Sequence, residues 1–388
     1  MSPTILFVDH ATAIGGAEKS LLMLLDGLDR SRWSLRLACC SGELSRQVKA
    51  RSIPLHLVEM PSLRRLPLLA LLRTIYALAR GIQADLIYAN TARGALYAAP
   101  AGLLGGRPFI WHMRDFSFTE ANTWMDRPLK WLVSHCASVV VANSAATANQ
   151  LPDSARVRVI HNGIDLTTLD STLSAVAARQ RLGFPAEAQI VGMLGRLRPW
   201  KGQERFIRIA SKVLRELPDT YFVVAGGDPF GINDGYATKL RYLVEELGIA
   251  DELTFTGQLH AGEVAEVLIA MDLFVHPGDP EPFGLVNLEA MAMGKPVVAF
   301  AHGALPEIVE QDVTGTLIPP GDEDACAAAI VELLRTPTRM KELGAAGRAR
   351  VESLFQIAGT VRAVDELLRQ QLHIEDRNDP ECLTNEDS

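Results

Sequence analysis

The chain has 388 residues, 48% hydrophobic and 22% charged, and this length predicts two or three compact domains with sizeable cores. The composition excludes a disordered chain, a collagen and a disulfide scaffold. The net charge of -8 combines two unlike halves: residues 1–181 hold 20 Lys+Arg and 13 Asp+Glu, whereas residues 182–388 hold 18 and 33. The charge of each half, and not the net charge of the chain, therefore indicates which partners that half attracts.

The five cysteines form no Cys-x-x-Cys pair, so we expect a reduced, cytosolic setting. The N-terminus has no basic lead and resembles a first β-strand. The longest apolar run, Leu66 to Leu72, is about a third of a membrane span. The sequence therefore predicts a cytoplasmic protein, with peripheral attachment to the inner membrane face left open.

Short apolar runs alternate with amphipathic stretches along the whole chain, which predicts parallel sheets covered by helices on both faces. A first series of strands is predicted at Ile5–Val8, Leu35–Cys39, Leu55–Val58, Leu86–Ala89, Phe109–His112, Val139–Ala142 and Val157–Ile160. A second series is predicted at Ile190–Leu194, Tyr221–Ala225, Leu253–Thr256, Leu273–His276, Val297–Phe300 and Thr316–Ile318. Helices are predicted at Glu18–Leu28, Leu68–Ala79, Gln203–Glu216 and Tyr236–Leu247.

A polar segment between Asp165 and Gly183 separates the two series. We therefore predict an α/β protein with two Rossmann-like doubly wound domains, residues 1–170 and 183–352. Because ligands bind outside the carboxyl ends of such strands, the active site is expected in the cleft between the domains. Residues 375–388 carry six acids and one arginine and are predicted to form a disordered acidic tail.

The first candidate loop joins the first strand to the first helix and contains Gly15 and Gly16. Paired glycines let backbone amides approach an anion or a sugar at a helix N-terminus. The loop is not a Gly-x-Gly-x-x-Gly fingerprint, which disfavours a dinucleotide. A turn required only by helix packing is the alternative.

The second loop, Gly192 to Gly202, carries Arg196 and Lys201. A planar guanidinium and a compact ammonium at the mouth of a cleft suit a diphosphate. The alternative is a solvated charged loop that binds nothing.

The third loop places Glu281 just ahead of a predicted helix, Phe283 to Met293, which contains Glu289. The amides of Gly284 to Val286 would then point into the cleft. Eight helical residues span about 12 Å, more than the roughly 5–9.5 Å of a glycosidase carboxylate pair. The acids are therefore expected to do different jobs, unless they are only an N-cap acid and a surface acid.

In this order, the three loops resemble those of the retaining nucleotide-sugar glycosyltransferases of the GT-B fold, family four or group 1. The likeness continues through His302–Val309 and Thr314–Asp322. It implies GT-B architecture, with an acceptor-binding first domain and a donor-binding second domain. It also implies that a helix at about 353–371 packs back on the first domain.

The resemblance assigns roles to particular residues. Arg196 and Lys201 would hold the donor diphosphate and stabilise the leaving group, Glu281 would bind the donor sugar hydroxyls, and Glu289 would bind the ribose. His112 would lie near the donor sugar, unless it only caps its own loop. Further donor-binding residues implied by the resemblance are Gly15, Gly16, Gly195, Gly227, Leu259, Phe283, Gly284, Leu285 and Val286.

We predict no metal or other cofactor, because the one Asp-x-Asp candidate, Asp322 to Asp324, follows Pro-Pro-Gly at a predicted helix start, where an N-cap explains it better. The resemblance favours a UDP-sugar over GDP-mannose as donor, and front-face transfer, with a covalent intermediate left open. A sugar-nucleotide epimerase and a catalytically silent GT-B binding protein are the alternatives from other classes.

The acceptor is expected to be a glycan, a lipid-linked saccharide or another glycoconjugate bound by the basic first domain. The segment Pro61 to Arg80 combines basic and apolar residues at helical spacing, which fits contact with an anionic membrane or a phosphorylated acceptor. The alternative is an ordinary crossover helix with arginines in water. Nucleic acid is not expected as a partner, because no basic surface interleaved with aromatic residues is present.

Overall fold

The computed structural model describes residues 2–60, 68–116, 125–169, 173–228 and 235–374. Its first sheet has seven parallel strands in the order β3-β2-β1-β4-β5-β6-β7. The central strands are continuous apolar runs because the sheet is covered on both faces. These strands are β1 (Thr4–Asp9), β2 (Ser34–Cys39), β3 (Leu55–Leu57), β4 (Leu86–Ala89), β5 (Phe109–Met113), β6 (Val139–Ala142) and β7 (Val157–Val159).

Helices cover both faces of this sheet and form two apolar clusters with it. Leu21 and Val48 belong to the cluster on one face, and Ile75, Ala95 and Val133 belong to the cluster on the other. The helices are α1 (Gly16–Gly27), α2 (Glu43–Ala50), α3 (Leu68–Gly81), α4 (Ala92–Gly105), α5 (Asp126–Cys136) and α6 (Ala145–Ala148).

The second sheet has six parallel strands in the order β10-β9-β8-β11-β12-β13. Its strands are β8 (Gln189–Leu194), β9 (Thr220–Ala225), β10 (Leu253–Gly257), β11 (Leu273–His276), β12 (Val297–Phe300) and β13 (Gly315–Ile318). Its helices are α7 (Ala175–Leu182), α8 (Gln203–Leu214), α9 (Tyr236–Glu246), α10 (Ala261–Ala270), α11 (Leu285–Ala292), α12 (Leu305–Ile308), α13 (Glu323–Arg335) and α14 (Pro337–Leu354).

The predicted fold class, two Rossmann-like doubly wound domains, is confirmed. Every predicted strand is present, with its ends displaced by no more than one residue. The strand order reverses beside β1 in the first sheet and beside β8 in the second. The first and second candidate loops leave these two strands, so both lie at the switch points where doubly wound sheets bind ligands.

The segment predicted to separate the domains contains α7, which packs on α10 of the second domain. The Arg179 guanidinium donates from Nε to the Ala270 carbonyl at 3.0 Å and from Nη2 to Asp272 at 2.8 Å. The packing of the second domain therefore begins ahead of Gly183. Sequence periodicity missed this short helix because its buried face includes a charged side chain whose partners lie about ninety residues away.

The helix α15 (Ile357–Gln371) lies against α1 in the first domain. Its Val364 and Leu367 are buried in the cluster around α1, and Asp365 accepts a hydrogen bond from Trp33 Nε1 at 2.6 Å. The C-terminal helix thus ties the two halves of the chain together. The predicted tail, residues 375–388, and the start of the predicted basic segment, residues 61–67, lie outside the described residues. No helix in the described ranges is long and apolar enough to span a bilayer.

Candidate active site

The Arg196 loop is attached to the end of the neighbouring strand β9 by backbone hydrogen bonds. The Gly195 amide donates to the Ala225 carbonyl, and the Leu197 amide donates to the Gly227 carbonyl, both at 2.9 Å. Gly226 has φ +113°, and a Cβ there would overlap the Gly195 carbonyl. The loop therefore holds the half-buried Arg196 at the carboxyl edge of the sheet.

Lys201 and Glu281, from separate loops, form a direct ion pair. Lys201 Nζ donates to Glu281 Oε2 at 2.7 Å, and each side chain is only 11% exposed. Gly202 follows Lys201 with φ +83°, and a Cβ there would overlap the Pro277 carbonyl. The close approach of these two loops positions the Lys201 ammonium on the Glu281 carboxylate.

Glu281 remains ionised beside these cations. Burial alone would raise the pKa of Glu281, but the Lys201 ammonium and the Arg196 guanidinium outweigh burial and hold the pKa below its ordinary value. His276 Nε2 lies 3.7 Å from Glu281 Oε2, and burial lowers the pKa of His276 to about 4. The imidazole is therefore neutral at pH 7. No role was predicted for His276 from the sequence, although its position at the end of β11 was a usable signal.

The helix that carries Glu289 begins later than predicted, at Leu285. Glu281 to Gly284 form a loop, so the separation of about 12 Å estimated from helix rise does not apply to Glu281 and Glu289. Gly284 caps the helix with φ +93°, and a Cβ there would lie 2.6 Å from Asn287 Nδ2. Glu281 and Glu289 therefore differ in the side chains that they contact and not in a fixed helical separation.

Glu289 lies beside Lys19 on α1 of the first domain, and Lys19 Nζ donates to Glu289 Oε1 across the cleft. A Cβ on Gly16 would lie 3.7 Å from Leu285 Cδ1, and one on Gly15 would lie 3.8 Å from Arg196 Nη1. The structure therefore brings the three candidate loops together. Lys19 was not predicted from the sequence, because a lysine on an amphipathic helix normally indicates a solvated face.

The remaining residues predicted to bind the donor lie at the edges of this site. Phe283 is 2% exposed and packs between His161 and Phe355, so only its backbone is available to a ligand. Gly227 lies against Gln258, since a Cβ there would be 2.8 Å from the Gln258 amide nitrogen. The partly buried side chains of Leu259 and Val286 pack on the core of the second domain.

The cleft face of the first domain is a buried polar network at the ends of four strands. Asp9 Oδ2 accepts from Asn90 Nδ2 at 2.8 Å, and Arg114 Nε donates to Asn90 Oδ1 at 2.7 Å. Arg114 Nη1 also donates to Asn162 Oδ1. All four side chains are buried. Each follows or ends an apolar strand, which was the only sequence signal for them.

His112 is part of this network. Its Nδ1 lies 2.5 Å from the Tyr88 hydroxyl and 3.2 Å from Arg114 Nη2, so it accepts from these donors and the proton resides on Nε2. Nε2 is buried and has no hydrogen-bond partner among the described residues. Burial lowers the pKa of His112 well below its ordinary value, which leaves a neutral ring with one N–H to donate. Its predicted place beside the donor sugar stays a prediction.

Glu18 is a buried acid at the N-terminus of α1, where its Oε2 accepts the Gly15 amide at 2.7 Å. Burial raises the pKa of Glu18 to about 8, and nearby Asp9 and Asp115 add to the rise. The carboxyl group is therefore mostly protonated at pH 7. No role was predicted for this residue from the sequence.

Asp322 is the N-cap of α13, as predicted, because its Oδ1 accepts the Ala325 amide at 2.9 Å. Among the described residues, no three His, Cys, Asp or Glu side chains are grouped so that they could hold a metal ion. Independence from metal ions stays a prediction.

Two family models match the two halves of the chain. The model for Glycosyltransferase Family 4 matches residues 14–168, and the model for Glycosyl transferases group 1 matches residues 176–350. The chain belongs to the group 1 glycosyltransferases. These matches place the Gly15–Gly16 loop in one model and the loops of Arg196 and Glu281 in the other.

Several curated proteins are similar in sequence to part of this chain. A D-inositol 3-phosphate glycosyltransferase of Mycobacterium avium (strain 104) is 39% identical over 206 residues, which cover 52% of this chain and 47% of the relative. One from Kineococcus radiotolerans is 33% identical over 254 residues, covering 61% and 58%. The chain thus matches about half the length of these relatives.

Among solved structures, Anabaena Alr3699/HepE in complex with UDP has a TM-score of 0.83 and 27% identity, covering 95% of this chain and 100% of that one. The lipopolysaccharide outer core galactosyltransferase WaaB in its apo form has a TM-score of 0.71 and 15% identity, covering 95% and 100%. The second likeness shows the GT-B fold alone.

Proposed function

We propose that this chain is a retaining glycosyltransferase that moves a sugar from a nucleotide-sugar, with a UDP-sugar favoured, to a hydroxyl group of an acceptor. One observation carries the proposal: the Lys201–Glu281 ion pair lies beside Arg196, facing the Gly15–Gly16 turn across the cleft. Two cations and an acid in one partly buried site match a diphosphate joined to a hydroxyl-bearing sugar.

In the proposed reaction, the bond between the anomeric carbon and the diphosphate oxygen breaks as the acceptor oxygen bonds to the same carbon. The acceptor proton passes to the leaving diphosphate on the same face of the sugar. Negative charge develops on the diphosphate, and Arg196 and Lys201 stabilise it in a site where burial strengthens each interaction. Glu281 accepts hydrogen bonds from the sugar hydroxyls, and no step requires a metal ion.

The preference for a UDP-sugar is supported by the solved complexes of Alr3699/HepE with UDP and with UDP-glucose, which are 27% identical to this chain. The test incubates the full chain with UDP-, GDP-, ADP- and TDP-sugars and measures the nucleoside diphosphate released. We expect the fastest release from a UDP-sugar. Release only from GDP-mannose would move the assignment to a mannosyltransferase.

Two other outcomes of this assay would contradict the proposal. Interconversion of the sugar with no transfer to an acceptor would indicate an epimerase. Binding of a nucleotide-sugar without release or transfer would indicate a silent binding protein. A thermal-shift measurement with each nucleotide shows whether it binds, because a ligand that binds the folded state raises the melting temperature.

The acceptor is proposed to be a hydroxyl of a saccharide or polyol that carries a phosphate group. The relatives are named for D-inositol 3-phosphate, and residues 1–181 carry 20 basic against 13 acidic residues. An assay comparing D-inositol 3-phosphate with free inositol, and phosphorylated with unphosphorylated lipid-linked saccharides, tests this choice. Equal rates for the members of each pair would contradict it.

We further propose that the first domain attaches to anionic membranes. Leu103 and Leu104 at the end of α4, and Trp131 and Leu132 on the contacting α5, are each about half exposed or more, and the exposed Arg127 lies on α5. Apolar anchors beside basic groups bind anionic interfaces. The chain should sediment with anionic vesicles more than with neutral ones, and equal sedimentation would contradict the proposal.

A further inference from the structure

The Lys19–Glu289 contact joins the two domains at the acid assigned to the ribose. Lys19 is the fourth residue of α1, and Glu289 is the fifth residue of α11. One turn earlier in each helix, Gly16 faces Leu285 across the same gap. The first turns of the two helices therefore face each other, and Lys19 reaches Glu289 from a backbone that is held in place.

The surroundings of the two side chains differ. Glu289 is buried, with 6% of its side chain exposed, whereas 43% of the Lys19 side chain is exposed. Lys19 Nζ contacts Oε1 of the carboxylate. A carboxylate has two acceptor oxygens, and the two neighbouring hydroxyl groups of a ribose present two donors, so each oxygen can accept one of them. Because Lys19 Nζ already lies on Oε1 and only 6% of the Glu289 side chain is exposed, a pair of ribose hydroxyls would have to displace the ammonium from that oxygen.

We propose that the Lys19 ammonium competes with the ribose hydroxyls of the donor for Glu289 and so lowers nucleotide affinity from the opposite domain. This inference rests on the proposed function, because it takes Glu289 to be the ribose acceptor. Donor affinity is then a property of both domains, although the donor-binding loops belong to the second.

The test substitutes Lys19→Met, which keeps an unbranched apolar side chain on α1 and removes the ammonium. Partly exposed ion pairs are weak, so we expect the variant to bind UDP about threefold to fivefold more tightly than the wild type. Isothermal titration of the full-length proteins measures the change. GDP serves as the probe if the wild type binds it better than UDP.

The matched control is Lys239→Met. It removes the ion pair of Lys239 with Glu204, formed at 2.8 Å between two helices of the second domain, away from Glu289. This variant should bind the nucleotide like the wild type. A change equal to that of Lys19→Met would show that loss of any lysine charge suffices, and would overturn the proposal.

Two further measurements separate competition for the ribose from a structural effect. The 2′,3′-dideoxy nucleoside diphosphate has no hydroxyl to place on Glu289, so Lys19→Met should not improve its binding. In a Glu289→Gln background, Lys19→Met should lose its effect on the ribonucleotide, because the two residues act through one contact.

The outcomes distinguish this inference from the proposed function. If the wild type binds UDP or GDP and Lys19→Met binds it equally or more weakly, competition is refuted, and weaker binding would show that the ammonium instead assists binding. An equal gain for the dideoxy nucleotide also refutes it. If the wild type binds neither nucleotide, the proposed function itself fails and this inference fails with it.

Discussion

The two faces of the cleft hold their polar side chains in different ways. On the second domain, charged groups from neighbouring loops meet in partly accessible ion pairs, such as Lys201 with Glu281. On the first domain, Asp9, Asn90 and Arg114 form a fully buried network. Ion pairs at a cleft can exchange partners with a charged ligand, whereas buried side chains that hydrogen-bond to one another keep one geometry. We call the second-domain face the donor face, after the proposed function, and the first-domain face the fixed wall. We expect the donor face to rearrange around a ligand while the fixed wall keeps its geometry.

The largest expected effect tests the donor face. Arg196→Ala or Lys201→Ala should lower the turnover number about 100-fold to 1000-fold, the loss typical for one group that stabilises developing charge. Initial rates of nucleoside diphosphate release measure it, and circular dichroism checks that each variant folds. Lys239→Ala is the control and should keep the wild-type rate. Near-normal rates in both variants would mean that the cations do not meet the leaving group.

The next effect tests whether the donor face depends on backbone geometry. Gly202→Ala combines a positive φ with an overlap against the Pro277 carbonyl, whereas Gly248→Ala has φ +68° and no neighbouring atom within 4 Å. Gly248→Ala should cost about 1 kcal/mol of unfolding free energy, and Gly202→Ala should cost more, about 2–3 kcal/mol. Urea unfolding midpoints of the two variants provide the measurement. Equal midpoints would show that the Lys201 loop tolerates displacement.

A smaller effect tests the first-domain face through Glu18, a buried acid on α1 whose pKa is raised partly by Asp9. Its pKa rises from 4.5 to about 8 on folding, so the folded state binds more protons than the unfolded state between these values. Stability is therefore fully present below pH 4.5 and is lost as the pH rises towards 8. Glu18→Gln keeps an acceptor for the Gly15 amide and should reduce this loss of unfolding free energy with rising pH. The loss is at most a few kcal/mol, the order of magnitude that corresponds to the pKa shift.

Melting temperatures between pH 5 and 9 measure the Glu18 effect. The control is Glu263→Gln, because the exposed Glu263 makes the same kind of contact, accepting the His260 amide at 2.7 Å. That variant should keep the pH dependence of the wild type. If Glu18→Gln leaves the pH dependence of the melting temperature unchanged, the interpretation that Glu18 is protonated in the folded state is contradicted.

The last prediction concerns removal of metal ions, which we expect to have no effect on activity. If the cations alone stabilise the diphosphate, EDTA should leave the rate of transfer unchanged. Measuring rates with EDTA, and with added magnesium or manganese, checks this prediction. Complete loss of activity restored by either ion would show that the donor face needs a metal ion besides Arg196 and Lys201.

Most of the donor-face residues were predictable from the sequence because they lie on two short segments. Arg196 and Lys201 are five positions apart in one loop, and Glu281 and Glu289 are eight positions apart, in the loop before α11 and on α11 itself. The motif in such a segment can be recognised without knowing how distant parts of the chain fold. The start of α11 was predicted two residues early, since helical periodicity does not reveal that Gly284 adopts a positive φ.

The first-domain face was not predictable in the same way. Asn90, Arg114 and Asn162 follow three different strands, and each alone is an ordinary polar residue after an apolar run. Only the order in which the strands pair brings these side chains into hydrogen-bonding distance. His112 was identified by family resemblance, but its neutral state follows from burial beside Arg114.

The sequence by itself determined the fold class, the two strand series and the family, because periodicity and motifs are local properties of the chain. Tertiary structure alone decided that Lys19 faces Glu289 and that Glu18 holds a proton. These features depend on contacts between segments far apart in sequence and on the water that those contacts exclude, and no local pattern encodes either.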